Sequence, residues 1–172
     1  MYLGEDSFIL SEFLGNYLKN KNRKIKILDM GSGSGIQAET CLKLGFRNIT
    51  ATDRGEDESN FLKNKLKSIK VIQSDLFSNI ADKFDLIIFN PPYLPESKYD
   101  KNPDTTGGKK GDETILMFLE QAKNYLTDNG EIIILLSSLT PRARINKLKW
   151  KKQKLEEKSL FFEKLEIWLL KL

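Results

Sequence analysis

The sequence predicts an α/β domain with a doubly wound, mostly parallel sheet, and three observations support this prediction. Short apolar segments with strand character alternate with amphipathic helical segments along most of the chain, which is typical of parallel strands covered by helices on both faces. A glycine-rich turn follows the first of these strands and precedes a helix. The 172 residues suit one globular domain with one substantial core, so we expect residues 1–172 to form a single domain.

The first half of the chain predicts three helices and three strands in regular alternation. Helices are expected where apolar residues recur at three- and four-residue spacing, and a glycine or an acidic first turn marks an end of such a segment. Strands are expected in the short apolar runs between them. In order, the predicted elements are a helix over 8–18, a strand over 25–30, a helix over 36–45, a strand over 48–53, a helix over 56–66 and a strand over 69–75.

The second half continues this alternation and then changes character. Its most amphipathic segment, "ETILMFLEQAKNYL", predicts a helix that the turn sequence "TDNG" ends. The segment "KKQKLEEK" (151–158) gives no clear assignment. In order, the predictions are a strand over 84–90, a long polar loop over 95–112, a helix over 113–126, a strand over 131–138, a helix over 141–150 and a strand over 164–172.

The composition excludes several kinds of chemistry. The chain contains no histidine, which excludes His-based triads, His zinc sites and a histidine base that works at neutral pH. Its one cysteine, Cys41, has no internal disulfide partner, and its place in the helical pattern predicts a small core residue. We therefore expect chemistry based on carboxylates, amides, lysines, tyrosines or backbone groups, and no metal site.

Charge and hydropathy indicate the compartment and leave the partner open. The net charge of +4 is compatible with a nucleic-acid partner but does not require one. The longest apolar runs are too short to span a bilayer. The first residues, "MYLGEDSFIL", carry acidic side chains where a signal peptide carries basic ones. We therefore expect a cytoplasmic protein without a membrane partner.

The turn after the first predicted strand favours a nucleoside-containing cofactor. Its sequence, "DMGSGSG" (29–35), lets the backbone approach a ligand closely at a helix N-terminus. A dinucleotide fingerprint requires a glycine at position 36, where Ile36 stands, and the lysine motif of a P-loop is absent. Asp53 ends the second strand, where a carboxylate can accept both ribose hydroxyls, and Asp75 ends the third, where it can meet an adenine edge.

The pattern D-x-G-x-G-x-G, followed by two strand-end aspartates, resembles class I S-adenosylmethionine-dependent methyltransferases, and the resemblance covers most of the chain. It implies the Rossmann-like fold of that family, a seven-stranded, mostly parallel sheet with an antiparallel C-terminal strand. It also implies which residues bind the cofactor. The methionine part is expected against Asp29, Gly31, Gly33 and Gly35, the ribose against Asp53, and the adenine against Asp75 and Leu76.

The fourth predicted strand ends in Asn90-Pro91-Pro92-Tyr93, a combination that turn formation alone does not require. This strand should point at the same pocket, so these four residues are expected to bind substrate, with Asn90 also near the cofactor. The Asn90 side-chain oxygen and the Pro91 carbonyl can accept both hydrogens of a planar –NH₂ group. Tyr93 offers a ring on which that group can stack. We therefore predict catalytic roles for Asn90, Pro91 and Tyr93.

This motif resembles that of amino-methyltransferases acting on adenine N6, cytosine N4 or glutamine N5, and three features favour glutamine. The start, "YLGEDSFIL", resembles the HemK/PrmC group of glutamine methyltransferases, especially the short archaeal and eukaryotic branch that modifies the GGQ loop of class I release factors. That resemblance implies that Ser7 lies near the cofactor. The segment "TTGGKKGDETILMFL" (105–119) resembles the Gly-Gly-x-x-Gly segment of the same group, although Thr105 and Thr106 stand where an aromatic residue is common. The chain is also too short for an additional DNA-reading domain.

The resemblance implies a class I release factor as substrate, S-adenosylhomocysteine as product, and a small zinc-binding activator protein as a possible partner. Two alternatives remain open. One is an adenine-N6 methyltransferase acting on RNA or DNA, which needs a flipped or single-stranded base. The other is a catalytically silent scaffold that binds the cofactor. A run of basic residues between Arg142 and Lys154 forms either a solvated face or a contact with RNA or an acidic surface, and its single aromatic residue, Trp150, gives little support for RNA.

Overall fold

A computed structural model describes residues 4–96 and 106–172 of the chain, which form five helices and seven strands. The helices are α1 (Glu5–Tyr17), α2 (Ile36–Lys43), α3 (Glu56–Lys65), α4 (Glu113–Ala122) and α5 (Ala143–Lys147). The strands are β1 (Ile27–Met30), β2 (Ile49–Asp53), β3 (Lys70–Gln73), β4 (Phe84–Phe89), β5 (Leu126–Ser137), β6 (Lys151–Ser159) and β7 (Lys164–Lys171).

All seven strands join one sheet in the order β3-β2-β1-β4-β5-β7-β6. The first five strands pair in parallel, and β7 is antiparallel to both of its neighbours. This arrangement confirms the predicted doubly wound sheet with an antiparallel C-terminal strand. Since the chain passes from β1 outward to β3 and then returns to β4, the order reverses between β1 and β4. Open α/β sheets bind ligands at such a reversal, beyond the carboxyl ends of the strands.

The core consists of two layers, one on each face of the sheet. Neighbouring residues of a strand contribute to opposite layers, as Ile27 and Leu28 do in β1. Helices α1, α2 and α3 cover one face, and α4 and α5 cover the other. Cys41 lies fully buried in the first layer, as the sequence predicts, and burial raises the pKa of its thiol.

Strand β6 is the main element that the sequence did not identify. It covers residues whose sequence pattern gives no clear assignment, and most of its side chains are exposed. Charged residues on both of its sides remove the alternation that normally marks a strand. Such a charged edge strand opposes pairing with other chains, while its own backbone is paired with β7.

The turn sequence "TDNG" was wrongly predicted to end a helix. Helix α4 ends at Ala122, and β5 already begins at Leu126, so Thr127 to Gly130 lie within the strand. Phe84 pairs with Leu126 but Leu86 pairs with Glu131, so these residues form an irregularity in the ladder. The Thr127 hydroxyl donates to the Asp85 carboxylate at 2.8 Å, which holds the irregularity in place.

The other predicted elements lie close to their predicted bounds, with two exceptions. The predicted helix over 141–150 shrinks to α5, because the backbone is extended again at Leu148. The polar loop predicted over 95–112 is described only at its two ends, and residues 97–105, including Thr105, lie outside the described part of the chain. Gly45 follows the C-cap residue of α2, Leu44, and has φ +93°, as expected for the glycine that ends a helix.

Candidate active site

The loops after β1, β2 and β3 are joined by hydrogen bonds at the carboxyl end of the sheet. The backbone N–H of Ser32 donates to the carbonyl of Thr52 at 2.7 Å, and that of Gly33 donates to the Asp53 carboxylate at 2.9 Å. The backbone N–H of Ser74 donates to the Asp53 carbonyl at 2.8 Å. The glycine turn and the two predicted nucleoside-binding loops therefore form one continuous surface.

The glycine turn needs glycine for its backbone geometry and for its close packing. Its three glycines, Gly31, Gly33 and Gly35, have φ values of +61°, +52° and +78°, which side chains rarely tolerate. At Gly35 a Cβ atom would also lie 2.8 Å from Leu62 and 3.0 Å from Leu66. The turn therefore packs against α3 while exposing its own backbone, which suits close approach of a ligand.

Asp29 is buried directly beneath this turn. Its carboxylate accepts the backbone N–H of Ala38 at 3.1 Å, which ties the end of β1 to the first turn of α2. Burial raises the pKa of Asp29 to about 7, although hydrogen bonds from Ser32 and Ala38 oppose the rise. A carboxyl group with a pKa near 7 is readily ionised by a positive charge nearby, so a cationic ligand group would favour its ionised form.

This pKa predicts a pH dependence of stability for the cofactor-free protein. Because the folded state holds the Asp29 proton more tightly than the unfolded state, the contribution of Asp29 is favourable below about pH 4 and is lost as pH rises toward about 7. In urea titrations, the unfolding free energy of wild type relative to Asp29→Asn should fall by a few kcal/mol between pH 4 and 7, at about 1.4 kcal/mol per pKa unit. The exposed Asp57→Asn variant is the control. Wild-type and Asp29→Asn curves that stay parallel would contradict the prediction.

Asp75 and Leu76 follow β3 in a tight loop at the same edge of the sheet. Leu76 has φ +47°, the one positive φ outside glycine in the described residues. The Ser74 hydroxyl donates to the Leu76 carbonyl at 2.8 Å, which supports this unusual backbone. The side chain of Asp75 is exposed and that of Leu76 is half-buried. Both residues therefore remain available to a planar ligand group.

The Asn90-Pro91-Pro92-Tyr93 corner lies beside the glycine turn. Met30 and Phe89 are register partners at the ends of β1 and β4, so Gly31 and Asn90 leave the sheet side by side. The Asn90 nitrogen donates to the Asp6 carboxylate at 3.1 Å and to the Ser7 hydroxyl at 3.3 Å. The Asn90 side-chain oxygen is buried and has no partner among the described residues. Buried acceptors rarely lack a partner, so this oxygen marks a place for a ligand donor.

The other two residues of the corner surround the same space. Pro91 is buried, and no described residue donates a hydrogen bond to its carbonyl. Tyr93 is half-buried and packs against both core layers. Burial, followed by the nearby charges of Asp6 and Glu163, raises the pKa of the Tyr93 phenol, so it stays neutral. The structure therefore brings together the corner residues that the sequence singled out.

The glycine segment before α4 packs directly on this corner. The N–H of Gly107 donates to the Leu94 carbonyl at 2.8 Å, and that of Glu96 donates to the Gly108 carbonyl at 3.0 Å. A Cβ atom at Gly107 would lie 2.6 Å from the carbonyl oxygen of Pro92. Such a contact is possible only without a side chain, so this glycine sets the distance between the segment and the corner.

Two residues of the site were missed by sequence reasoning. Asp6 contacts Asn90, and the Gln37 side chain donates to the Ser7 carbonyl at 2.9 Å, which joins α1 to α2. The oxygen of the buried Gln37 amide has no partner among the described residues. The polar Gln37 on the buried side of a predicted helix was one available signal, and the position of Asp6 within the segment "YLGEDSFIL", next to Ser7, was the other.

Three side chains of the basic run form ion pairs within the protein. Arg142 pairs with Glu166 at 2.7 Å, Arg144 pairs with Asp112 and Glu113, and Lys154 pairs with Glu157. These contacts favour the interpretation of the run as a structural and solvated surface. No helix in the described ranges is long and apolar enough to cross a membrane. The same ranges contain no cluster of three or more metal-binding side chains of the His, Cys, Asp or Glu types.

Comparison with known sequences gives matches over most of the chain. The model of the methyltransferase small domain matches residues 9–161. A protein of Methanocaldococcus jannaschii, provisionally named a protein N5-glutamine methyltransferase, is 39% identical over 155 residues, 84% of this chain and 76% of that protein. The release factor glutamine methyltransferase of Shewanella oneidensis is 30% identical over 75% of this chain, which spans half the length of that relative.

Comparison with solved structures gives the same fold at lower identity. The E. cuniculi Mtq2–Trm112 complex, described as responsible for methylation of the eRF1 termination factor, aligns with a TM-score of 0.75 at 21% identity, over 99% of this chain and 96% of the other. The T. thermophilus 16S rRNA N2 G1207 methyltransferase RsmC, in complex with AdoMet and guanosine, also aligns at 0.75, with 17% identity, over 98% of this chain and 43% of the other. At these identities the likeness establishes the fold.

Proposed function

The chain belongs to the methyltransferase small domain family of S-adenosylmethionine-dependent enzymes, and from that premise we propose that it methylates the N5 amide of a glutamine in the GGQ loop of a class I translation release factor. The observation that carries this proposal is the unpartnered, buried oxygen of Asn90 beside the glycine turn. The amide that receives the methyl group can donate one of its hydrogens to that oxygen. The names of the sequence relatives favour glutamine as the residue that bears the amide.

The residues around the glycine turn fit the cofactor. When bound, S-adenosylmethionine supplies a methyl group on a positively charged sulfur and leaves as S-adenosylhomocysteine. The glycine backbone and Asp29 would hold the methionine part. The Asp53 carboxylate accepts N–H groups of Gly33 and Gly55 at 2.9 and 3.2 Å, and a carboxylate has about four acceptor positions. Two positions therefore remain for the ribose hydroxyls, while Asp75 and Leu76 lie where the adenine would extend.

The corner residues would orient a weak nucleophile. The lone pair of a carboxamide nitrogen is delocalised into its carbonyl, so the nitrogen attacks poorly without help. The Asn90 oxygen and the Pro91 carbonyl would accept its two hydrogens, hold the nitrogen toward the glycine turn and stabilise the positive charge that develops on it. The Tyr93 ring would form the side wall. Because the Asn90 oxygen and the Pro91 carbonyl belong to a proline-containing corner, they are held rigidly before the substrate amide binds.

We also propose a small zinc-binding activator protein as partner, and the support for a partner is that Mtq2, whose fold this chain shares, was solved in complex with Trm112. The two edges of the sheet are not equally suited to binding such a partner. Strand β6 carries exposed charges on both sides, which opposes strand addition, whereas β3 has Val71 and Ile72 half-buried at its edge. The proposed activator therefore adds to the β3 edge, away from the basic residues of β6.

Transfer of a labelled methyl group tests the proposed function. Protein with and without an activator is incubated with cofactor labelled on its methyl group and with either a release factor or an oligonucleotide. We expect label on the release factor and no label when the GGQ glutamine is replaced. Label on adenine would instead support an adenine-N6 methyltransferase. Cofactor binding without any transfer would support a silent scaffold.

Replacement of Asp53 by alanine should mainly weaken cofactor binding. The change removes the proposed ribose acceptor and the partner of the Gly33 N–H. Loss of a charged hydrogen-bonding group costs about 1.5–3 kcal/mol, or about 10- to 100-fold in the dissociation constant measured by titration. Asp57→Ala, an exposed carboxylate in the first turn of α3, is the matched control. An unchanged dissociation constant for Asp53→Ala would refute the ribose role.

A further inference from the structure

We propose that Asp6 is a positioning residue for Asn90. Together with Ser7 it accepts both hydrogens of the Asn90 amide, so that only the Asn90 oxygen is available to the –NH₂ group that receives the methyl. This inference rests on the proposed function, in which that oxygen receives a hydrogen of the acceptor –NH₂ group. It concerns a residue outside the predicted cofactor-binding and substrate-binding sets.

The contacts of Asn90 use its whole donor capacity. A primary amide nitrogen has two hydrogens, and the Asn90 nitrogen lies 3.1 Å from the Asp6 carboxylate and 3.3 Å from the Ser7 hydroxyl. The hydroxyl in turn lies 3.4 Å from the other Asp6 oxygen, to which it can donate. No hydrogen of the amide is left for a substrate, whereas its buried oxygen has no partner among the described residues.

The charge of Asp6 decides which way the Asn90 amide faces. Rotation of the amide by 180° would place its oxygen against the Asp6 carboxylate, and two acceptors at that distance repel each other. A hydrogen bond to an ionised acceptor is about twice as strong as a neutral one. A carboxylate at position 6 therefore favours the orientation in which the Asn90 oxygen points at the –NH₂ group of the substrate. A neutral residue at position 6 favours it less strongly.

The same carboxylate also acts on the rate. A negative charge on the nitrogen side of an amide polarises the group and increases the partial negative charge on its oxygen. The benefit grows as positive charge develops on the acceptor nitrogen, so it is larger in the transition state than in the bound ground state. Asp6 is therefore expected to change kcat more than any binding constant.

The neighbouring residues fix Asp6 in this position. The Asp6 carboxylate accepts the backbone N–H of Ser7 at 2.7 Å, within the first turn of α1. At Gly4 a Cβ atom would lie 2.3 Å from the Asp6 oxygen, so glycine there allows the side chain to fold back. The hydrogen bond from Gln37 to the Ser7 carbonyl holds the turn from the opposite side.

Kinetics of Asp6 variants test the proposal. Because a hydrogen bond to a charged group is worth about 1.5–3 kcal/mol, Asp6→Ala should lower kcat by about 10- to 100-fold. Asp6→Asn, which keeps an acceptor oxygen without the charge, should show an intermediate loss. The cofactor dissociation constant should change by less than about threefold in both variants, since Asp6 acts through Asn90. Glu5→Gln, an exposed carboxylate in the same turn, is the control and should behave as wild type.

A direct measurement on cofactor-free protein separates this inference from the proposed function. Hydrogen exchange of the Asn90 side-chain amide, identified by the resonance that Asn90→Ala removes, should be at least about tenfold faster in Asp6→Ala, because an unpaired amide exchanges more freely. Faster exchange would support the positioning role even if the release factor is not the substrate. If Asp6→Ala fails to fold, Asp6→Asn provides the same comparison.

Two results would overturn the inference. The first is unchanged exchange and unchanged kcat in both Asp6 variants. The second is an unchanged kcat with a cofactor dissociation constant raised tenfold or more, which would make Asp6 a cofactor ligand.

Discussion

Replacement of Asn90 by alanine is expected to lower the rate of methyl transfer by a factor of about 10²–10³, the cost of removing one group that stabilises developing charge in an active site. Asn90 Oδ1 is the buried acceptor without a partner, and it lies at the end of β4 next to the glycine turn. Alanine removes this hydrogen-bond acceptor and leaves the –NH₂ group of the substrate free to rotate. The single-turnover rate with saturating cofactor measures the loss.

The fold should survive this change, because Asn90 lies at a strand end and outside both core layers. Asn48→Ala is the matched control. Asn48 also bonds through its side chain, to the Lys24 carbonyl at 2.9 Å, but it lies at the opposite end of the sheet. We expect the control to keep full activity. If Asn90→Ala is folded and transfers methyl groups within tenfold of wild type, Asn90 is not the residue that orients the acceptor.

Replacement of Gly107 by alanine is expected to have the second-largest effect. Its Cβ atom would lie 2.5 Å from the carbonyl oxygen of Gly111 and 2.6 Å from that of Pro92, and both atoms belong to the backbone. To relieve these contacts the glycine segment and the corner must move apart, which displaces Pro91 and Tyr93. We expect a loss of stability of about 1–3 kcal/mol, as in other overpacked sites. The loss of transfer activity should be about 100-fold, since misplacement by about 1 Å can cost that much.

The matched control is Gly15→Ala in α1, where nothing lies within 4 Å of the added Cβ atom. That change should stabilise the protein by about 0.5–1 kcal/mol, because alanine is the better helix residue. Cofactor affinity should stay close to wild type in Gly107→Ala, because the atoms nearest to the added Cβ belong to Gly111 and Pro92 and not to the glycine turn after β1. Equal activity of Gly107→Ala and wild type, measured on folded protein, would show that the segment does not position the corner.

The parts of the site predicted from sequence share one physical basis. Asp29, Asp53, Asp75 and Asn90 each follow a short apolar strand, and parallel strands bring their carboxyl ends to one edge of a sheet. Strand order and direction then place these residues near one another without knowledge of any side-chain contact. The structure confirms the sheet and the neighbouring positions of these residues, while their roles toward cofactor and acceptor stay predictions.

The parts that the sequence could not give depend on contacts between distant segments. Asp6 acts on Asn90, 84 residues further along the chain, and only the packing of α1 beside β4 reveals it. Strand β6 has no apolar face of its own and is defined by its pairing with β7. The residues of "TDNG" favour turns in general, and only the pairing of β5 with β4 makes them an irregularity within a strand.

The burial of Cys41 has a practical consequence. It is the one thiol in the chain, it is fully buried in the core layer to which α1 and α2 contribute, and burial raises its pKa. Because an exposed thiolate is the species that attacks thiol reagents, modification must wait until the core layer that contains Cys41 opens. The rate at which a thiol reagent labels the native protein therefore measures the free energy of that opening at a single position, without any substitution. Because the Gln37 bond to the Ser7 carbonyl joins the same two helices, slower labelling on addition of S-adenosylmethionine would report that ligand binding closes this interface.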